Sequence, residues 1–342
     1  METQKILNHK KILFLAPKFF GYEQKIKSKM EAMGAIVDFY DARSVTKSID
    51  RAILKISPVF FKKITKEYFN NILNKCKNTN YDYIFIVKCD MISEDILKQF
   101  RNTFNNAKFC LYLWDSVANI PGVSHKFKYF DRVLSFDRFD SNFYNSIIFR
   151  PLFYLDEFQN VVNRVENFKY DISFCGTIHS DRYKIVKKIK EFCITNNLKS
   201  YNFLYLQSEF IFKFYKMIKK EFSGAKMIDF SFSNLSANEI SNIVKDSRIV
   251  LDMQHPKQTG LTMRTIEMLG MNKKLITTNY DIVNYDFYNP QNIFVIDREN
   301  IKIDKEFFLS SYQPLDQVIY DKYSIENWLS DIFSETNRTE DI

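Results

Sequence analysis

Short apolar runs alternate with amphipathic segments from one end of this chain to the other. The first apolar run, at 11–16, has the continuous hydrophobic character of a strand buried on both faces, and Pro17 stops it. Helical segments follow the apolar runs, and a helix between two strands is the usual crossover of a parallel pair. The sequence therefore predicts an α/β protein built on parallel sheets.

The alternation is interrupted by one segment, at 154–169, that is polar, rich in Asn, Glu and Asp, and without a strand pattern. The chain has 342 residues, whereas single hydrophobic cores stop growing at about 250–300 residues. We therefore expect a Rossmann-like domain at 1–153, a linker at 154–169 and a second Rossmann-like domain at 170–320. A closing helix and tail are expected at 321–342.

Local signals predict three further elements in the second half. Ser208 is a good helix N-cap, and the helix that it begins is expected to run to Phe222. The apolar run 226–232 is expected to be a strand. A helix is expected at 260–269, after a strand at 248–253.

The cysteines and histidines show no disulfide or metal-binding pattern. None of the five cysteines forms a C-x-x-C pair, and most lie in apolar runs, so we interpret them as reduced core residues. The four histidines lack metal-ligand spacing. No apolar stretch approaches the ~18 residues of a spanning helix, and the N-terminus does not resemble a signal peptide. We expect a cytoplasmic protein that requires no metal or other cofactor.

The formal net charge of +8 favours a polyanionic partner, such as an anionic membrane or a phosphorylated substrate. No run of Arg and Lys marks a nucleic-acid arm, so nucleic acid is not an expected partner. The segment 210–220 places Lys213, Lys216 and Lys220 on one helix among many aromatic residues. Such a helix can lie on an anionic membrane that carries a lipid-linked acceptor. The alternative is a core-facing helix whose lysines are merely solvated.

Glycine is scarce, with 7 residues in the chain, which leaves little room for a glycine-rich phosphate loop. A phosphate site must then use one or two glycines and the N-terminus of a helix, whose free N–H groups attract anions. The first candidate is Gly176-Thr177, where a strand is expected to end before a helix that carries Arg182 in its first turn. The alternative is an ordinary strand–helix turn.

The second candidate is the loop that runs from His255 into the helix expected to start at Gly260. On that helix Gly260, Arg264 and Glu267 are spaced i, i+4, i+7 and share one stripe, and Leu261 follows the glycine. An arginine here suits a phosphate, and a glutamate suits ribose hydroxyls. The alternative is an i, i+3 ion pair on a solvated face, worth only ~0.2–0.5 kcal/mol.

Three residues of the first half are candidate general bases. Asp90 and Asp115 follow strand ends, where ligands bind in open parallel sheets, and His125 is a third candidate. Trp114, beside Asp115, can stack on a sugar ring. The alternatives are capping or loop residues and a buried tryptophan.

Three segments of the second half carry a family resemblance. They are FCGT at 174–177 with Arg182 after it, GLTMRTIEMLG at 260–270 and KLITTN at 274–279. Together they resemble the C-terminal half of bacterial GT-B glycosyltransferases. The closest type is the branch related to the CgeB spore-maturation proteins and to capsular and lipopolysaccharide sugar transferases. In the first half, LYLWDS at 111–116 is similar to a segment common in that group.

The resemblance implies two Rossmann-like domains whose parallel sheets face each other across a cleft. It implies a glycosyltransferase that moves a sugar from a nucleotide-sugar donor to a glycan or lipid-linked acceptor in surface-polysaccharide synthesis, at the inner face of the cell membrane. The C-terminal domain would bind the donor, with Glu267 on the ribose and with Arg264 and Gly176-Thr177 near the diphosphate. The N-terminal domain would bind the acceptor.

One position departs from the pattern of the family. Retaining enzymes often carry a second glutamate upstream of the first, and Thr259 occupies that place here. The sequence therefore leaves the anomeric outcome open. Two other functions stay open with it, namely a non-catalytic GT-B relic that binds a sugar or nucleotide, as a spore-coat or assembly protein, and a sugar-nucleotide epimerase of GT-B fold.

Overall fold

The computed structural model describes residues 6–44, 58–159, 168–256 and 258–334. The chain forms two compact units, of which unit 1 consists of Met1–Phe153 and Lys322–Ile342, and unit 2 of Tyr154–Asp321. Within the linker expected at 154–169, the stretch 160–167 lies outside the described residues.

Strands and helices alternate along the described parts of the chain. The strands there are β1 (Lys11–Ala16), β2 (Ile36–Asp41), β3 (Tyr83–Val87), β4 (Lys108–Leu113), β5 (Arg132–Ser135), β6 (Ile147–Phe149), β7 (Tyr170–Thr177), β8 (Ser200–Tyr205), β9 (Ser247–Asp252), β10 (Lys274–Thr277) and β11 (Ile293–Val295). The α-helices are α1 (Tyr22–Ala32), α2 (Pro58–Cys76), α3 (Glu94–Thr103), α4 (Arg138–Phe143), α5 (Arg182–Thr195), α6 (Glu209–Ile218), α7 (Ala237–Lys245), α8 (Met263–Gly270), α9 (Lys305–Leu309), α10 (Gln317–Lys322) and α11 (Ile325–Phe333).

Unit 1 is built on a parallel sheet. Its strands, within the described residues, are hydrogen-bonded in the order β2-β1-β3-β4-β5-β6, and every neighbouring pair is parallel. The central strands β3 and β4 are buried along almost their whole length, as expected for a parallel sheet that is covered on both faces. This burial explains why their sequences are continuous apolar runs.

The helix α11 belongs to unit 1, although it follows unit 2 in the chain. Its Trp328 is fully buried, with its ring 4.8 Å from that of Tyr112 and 4.3 Å from that of Phe153. The guanidinium group of Arg150 pairs with the carboxylate of Asp331 at 2.7 Å. The last helix therefore completes the core of unit 1.

Unit 2 is built on a second parallel sheet, ordered β11-β10-β9-β7-β8 within the described residues. Its core includes large aromatic side chains, among them Phe212, Phe222 and Phe230, that pack together beside the sheet. The prediction of an α/β protein with two parallel sheets is confirmed.

The helix predicted from Ser208 to Phe222 is shorter than expected. The Ser208 hydroxyl caps it by accepting a hydrogen bond from the Ile211 N–H at 3.3 Å, but α6 ends at Ile218. Lys219 is extended, and a 3-10 turn at Lys220–Phe222 follows. The turn directs Phe222 into the core, where it is fully buried against Tyr183. Burial of this aromatic ring therefore outweighs continuation of the helix.

The strand predicted at 226–232 is wrong. The segment forms a 3-10 turn at Met227–Asp229, and Ser231 makes an isolated bridge to Tyr205. The Asp229 carboxylate accepts a hydrogen bond from the Lys226 N–H at 3.4 Å. Short polar side chains that bond to nearby backbone compete with strand pairing, which accounts for the difference.

Candidate functional site

The candidate donor site lies at the carboxyl edge of the unit 2 sheet, where three adjacent strands end. Strand β7 leads into a turn at 178–181, β9 into loop residues 253–256 and 258–262, and β10 into a short turn at 278–279. In open parallel sheets this edge is the usual place for a ligand.

The helix α8 begins later than predicted. Its N-cap is Thr262, whose hydroxyl accepts a hydrogen bond from the Thr265 N–H at 3.2 Å. The Asp252 carboxylate, at the end of β9, accepts hydrogen bonds from both threonine hydroxyls, at 2.5 and 2.7 Å. These bonds fix the first turn of α8 to the end of β9.

Gly260 therefore lies outside the helix. The prediction that Gly260 shares a helix stripe with Arg264 and Glu267 is wrong. The glycine is buried in the preceding loop beside buried Leu261, and its carbonyl accepts a hydrogen bond from the Asn279 side-chain amide at 3.3 Å. The same amide bonds to the Thr259 carbonyl at 2.9 Å. Asn279 thus holds the loop against the turn that follows β10.

Arg264 and Glu267 form the ion pair that their spacing predicts, with 3.4 Å between Nε and Oε2. The pair is not on a solvated face, because the side chains are only 24% and 12% exposed. Burial raises the pKa of the Cys175 thiol to about 11, and the nearby Arg264 charge opposes that rise. Arg264 therefore lies close to the end of β7 as well as to Glu267.

The first candidate turn also differs from expectation. Gly176 and Thr177 are the last residues of β7, paired with Leu204 and Tyr205 of β8, and are not in the turn itself. A Cβ atom on Gly176 would lie 2.9 Å from Cζ of Phe174. The glycine is therefore explained by the packing of the Phe174 ring, without a phosphate ligand. The helix that follows this strand, α5, begins only at Arg182.

Arg182 joins the ends of two strands. Its guanidinium group donates hydrogen bonds to the Thr177 carbonyl at 3.0 Å and to the Met253 carbonyl. The pKa of Arg182 is lowered chiefly by burial, with Arg298 adding to the effect. The arginine therefore supplies positive charge at this edge while its position is fixed by backbone carbonyls.

Sequence reasoning missed Arg298, which follows β11. Its guanidinium group pairs with the Asp181 carboxylate at 2.7 Å and donates to the Gln254 carbonyl at 2.6 Å and the Thr278 hydroxyl at 2.9 Å. It thus connects the loops that follow β7, β9 and β10. The signal that was available is its place shortly after the last apolar strand, at the same edge as the other candidates.

Two histidines lie next to each other at this edge. The ring centroids of His179 and His255 are 5.5 Å apart, and His255 is exposed. Burial lowers the pKa of His179 to about 4, and the charges of Arg182 and His255 contribute. His179 is therefore neutral at pH 7. Three arginines therefore lie at this edge, and the carboxylates of Asp181 and Glu267 pair with two of them.

The corresponding edge of the unit 1 sheet carries two of the predicted bases. Lys88, after β3, has its ammonium nitrogen 3.0 Å from the Asp115 carboxylate and 3.7 Å from that of Asp90. Lys88 and Cys89 both have positive φ angles, of 77° and 53°, a conformation that costs energy for residues other than glycine. The positive-φ residues thus occur next to the ion pairs of this edge.

Aromatic rings line the same edge. The half-buried Trp114 ring lies 6.3 Å from that of Phe19, 5.7 Å from Tyr22 and 5.9 Å from Phe153. The neighbouring Phe20 has a φ of 49° and is 89% exposed. Because β1, β3 and β4 are adjacent, these rings and the Asp90–Asp115 pair belong to one edge of the sheet.

His125 is placed differently from the two aspartates. It lies with an exposed side chain in a 3-10 helix, Val123–Tyr129, whose Lys128 pairs with Glu94 at 2.8 Å. The pKa of Glu94 is lowered chiefly by its bond to Lys128, and His125 adds to this effect. The structure thus groups His125 with Glu94, whereas Lys88 brings Asp90 and Asp115 together.

A second acidic pair, Asp137 and Asp140, was missed by sequence reasoning. Both carboxylates are buried just after β5 and accept hydrogen bonds from Ser116 and Ser135 respectively. Burial raises the pKa of Asp140 to about 6. A Val117 N–H at 3.1 Å also bonds to Asp140, so this pair holds the loop that follows β4.

Several solved structures with a similar fold are glycosyltransferases. HepE of Anabaena, solved with UDP and glucose, has a TM-score of 0.58 and 10% identity over 96% of this chain and 100% of that one. A glycosyltransferase of Rickettsia africae has a TM-score of 0.56 and 14% identity over 96% and 95% of the two chains. An α-glucosyltransferase solved with UDP and a 13-mer DNA has a TM-score of 0.56 and 10% identity over 94% of each.

The chain therefore has the two-unit α/β fold of the GT-B glycosyltransferases. No family model matches the chain, and no curated protein is similar to it in sequence. The narrower resemblance to the CgeB-related branch consequently stays a prediction.

Two other features are absent from the described residues. Among them, no group of three or more His, Cys, Asp or Glu side chains is placed to hold a metal ion. None of the helices within the described ranges is both long and apolar enough to cross a membrane.

Proposed function

We propose that this protein is a glycosyltransferase that takes a sugar from a nucleotide-sugar donor bound at the carboxyl edge of the unit 2 sheet. The observation that carries the proposal is the largely buried Arg264–Glu267 pair in the first two turns of α8. A solvated ion pair would leave both side chains exposed, whereas these two are largely buried. They also lie at the edge of the sheet where ligands usually bind. The fold shared with HepE, which was solved with UDP and glucose, supports UDP as the first nucleotide to test.

The groups of this edge have distinct roles in the proposed donor complex. The N–H groups of Met263 and Arg264, which precede the capped Thr265, and the Arg264 guanidinium bind the diphosphate, and Glu267 accepts hydrogen bonds from the ribose hydroxyls. Arg182 and Arg298 lie at the same edge, and backbone carbonyls fix the position of each guanidinium group. Since negative charge develops on the diphosphate as the sugar leaves, fixed cations stabilise the transition state more than the ground state.

The acceptor is proposed to bind at the corresponding edge of unit 1. Trp114 offers an apolar face to a sugar ring, and Asp90 and Asp115 can bond to its hydroxyls. If the transfer inverts the anomeric carbon, Asp115 is the proposed general base. The acceptor oxygen then bonds to the anomeric carbon, the bond to the diphosphate breaks, and the hydroxyl proton passes to the Asp115 carboxylate.

The acceptor class is proposed from the sequence resemblance, and the location from the basic charge of the chain. A glycan or lipid-linked acceptor of surface-polysaccharide synthesis, used at the inner face of the cell membrane, fits the basic net charge of +8. No metal ion has a role in the proposed reaction, because cations of the protein replace it at the diphosphate. Activity that EDTA abolishes and Mg²⁺ or Mn²⁺ restores would contradict this.

The test begins with thermal melts of the full chain in the presence of UDP, UDP-glucose, GDP and CMP. A ligand that binds the native state raises the melting temperature by mass action, so we expect a shift with at least one nucleoside diphosphate. Incubation with labelled nucleotide sugars and analysis of the products then separates a transferase from an epimerase or a non-catalytic binder. Unchanged melting with every nucleotide and nucleotide sugar would remove the support for the donor site.

A further inference from the structure

The helix α6 of unit 2 is apolar on two opposite sides. Its inner side places Phe212 in the core, with its ring 5.1 Å from that of Phe230. On the other side four large apolar residues are exposed, by 76%, 44%, 77% and 53%, namely Phe210, Phe214, Met217 and Ile218. Their spacing of i, i+4, i+7 and i+8 makes one continuous stripe. We call this stripe the outer face of α6.

An exposed apolar stripe of this kind is unusual on a helix that already has a buried side. A surface helix normally presents polar residues opposite its core-facing stripe. Scattered single apolar residues are ordinary on a protein surface, whereas a contiguous set marks a surface that binds a partner. The outer face therefore requires a partner whose own surface is apolar, at least in part.

Two exposed lysines border the outer face. Lys213 lies one turn from both Phe210 and Met217, and Lys220 follows the helix, whereas the Lys216 ammonium group donates a hydrogen bond to the Ala225 carbonyl at 3.1 Å. Over residues 208–222 there are four lysines and two glutamates, which leaves an excess of positive charge. Long lysine side chains can lie along an apolar surface while their ammonium groups reach outward. The partner is therefore expected to carry negative charge around an apolar interior.

We propose that the outer face of α6 docks on an anionic lipid bilayer. In such a complex the helix lies in the plane of the membrane interface, its apolar side chains enter the acyl region, and the lysines contact anionic headgroups. A second copy of this chain is the other apolar partner to consider. Pairing two outer faces would bring the lysines of one copy against those of the other, and this repulsion disfavours it.

A hydrogen bond connects the end of α6 to the candidate donor edge of the same unit. At the end of α6, the Lys219 ammonium group donates a hydrogen bond to the Ser180 carbonyl at 3.0 Å. Ser180 has a φ of 52° and follows His179 in the turn after β7. The docking proposal does not depend on the proposed function, because it needs only α6 and its lysines.

The test is flotation of the full chain with vesicles of phosphatidylcholine alone and of phosphatidylcholine with phosphatidylglycerol. We expect binding to the anionic vesicles, weakened by added salt, and little binding to the neutral ones. The double variant Phe210→Ser, Met217→Ser should bind the anionic vesicles about tenfold more weakly, because less apolar surface enters the membrane. Lys213→Glu should weaken binding as well, without changing apolar area.

A matched control is available in unit 1, where Phe139 and Phe143 are 62% and 67% exposed on α4. Phe139→Ser, Phe143→Ser should leave vesicle binding unchanged. Thermal melts check that each variant folds, and Lys213→Glu keeps the test valid if the double serine variant does not. The proposal is overturned if the wild-type chain does not bind anionic vesicles, or if both α6 variants bind as it does. It is also overturned if the outer face instead mediates dimers in solution.

Discussion

The carboxyl edges of the two sheets have the same strand–loop–helix construction but carry different side chains. In unit 2, Arg182, Arg264 and Arg298 lie at the edge with a pair of histidines, and two of these arginines pair with carboxylates. In unit 1, the ammonium group of Lys88 lies between two aspartates, and the aromatic rings around Trp114 pack together at the same edge. The fold provides the edge, whereas the loop residues determine whether an anion or a neutral, hydroxyl-rich ligand suits it.

The two edges also differ in how their charges are held. Arg182 and Arg298 each donate to backbone carbonyls, so their positions are fixed before any ligand arrives. The carboxylate of Asp115 is 39% exposed and is held by the long side chain of Lys88. The charged groups of the unit 2 edge are thus more rigidly held than those of the unit 1 edge. The predictions below test this difference, beginning with the largest expected effect.

The first prediction concerns the unit 1 edge. For an inverting transfer, Asp115→Asn should lower kcat by roughly 10²–10⁴-fold, because it removes the general base. The affinity for UDP should not change, since the donor is proposed to bind unit 2. Asp95→Asn, at an exposed residue of α3, is the matched control and should be neutral. Full activity of Asp115→Asn would exclude Asp115 as the base.

The second prediction concerns the unit 2 edge. Glu267→Gln removes a charged acceptor of about 1.5–3 kcal/mol and should weaken donor binding by roughly ten- to a hundredfold. Arg264→Ala should weaken binding of a nucleoside diphosphate more than that of the bare nucleoside, because it removes a phosphate partner. Calorimetric titration measures both, with thermal melts as the control for folding.

An exposed ion pair in the same unit provides the comparison for that experiment. Lys188 and Glu191 on α5 have the same i, i+3 spacing at 3.3 Å, with both side chains at least half exposed. Glu191→Gln should change neither affinity nor stability by more than a few tenths of a kcal/mol. If Glu267→Gln and Arg264→Ala behave like Glu191→Gln, the donor does not bind at α8.

The third prediction concerns how the free energy of unfolding depends on pH, and its effect is smaller. Lowering the pH should stabilise unit 1 through Asp140 and destabilise unit 2 through His179. The native pKa of Asp140 is raised to about 6, so its ionised form disfavours folding above that pH, and this cost falls as the pH drops from 6 toward 4. The native pKa of His179 is lowered to about 4, so stability is lost as the pH drops from about 6.5 toward 4.

Urea unfolding between pH 4 and pH 8 measures both effects. Asp140→Asn should gain stability over the wild-type chain above pH 6 and lose that advantage near pH 4. His179→Asn should show the reverse, with its advantage growing as the pH falls. Each difference should be on the order of 1 kcal/mol. Differences that do not vary with pH would mean that these two groups titrate alike in the folded and unfolded chain.

The strands at the centre of both sheets were predictable because they are buried on both faces. The run that forms β3 is apolar throughout, β4 is apolar after its first residue, and β9 has an apolar centre at 249–251 between polar ends. The same logic placed Asp90 and Asp115 after strand ends. The sequence pattern was sufficient to place these strands, because a strand buried on both faces is apolar along most of its length.

Other features depend on residues far apart in the chain. The start of α8 is set by Asp252, and the role of Arg298 depends on contacts with Asp181 and Gln254. Lys88 joins Asp90 and Asp115 only because β3 and β4 are neighbours in the sheet. No local pattern in the sequence shows which loops meet, so these parts of the site required the structure.

The return of the chain to unit 1 determines the order in which the protein can be completed on the ribosome. Synthesis runs from the N-terminus, so every residue of unit 2 emerges before Trp328 does. Until then the rings of Tyr112 and Phe153 lack the partner that covers them. Unit 2 is one continuous segment and can finish folding first, whereas unit 1, whose synthesis begins earlier, must wait for the last helix.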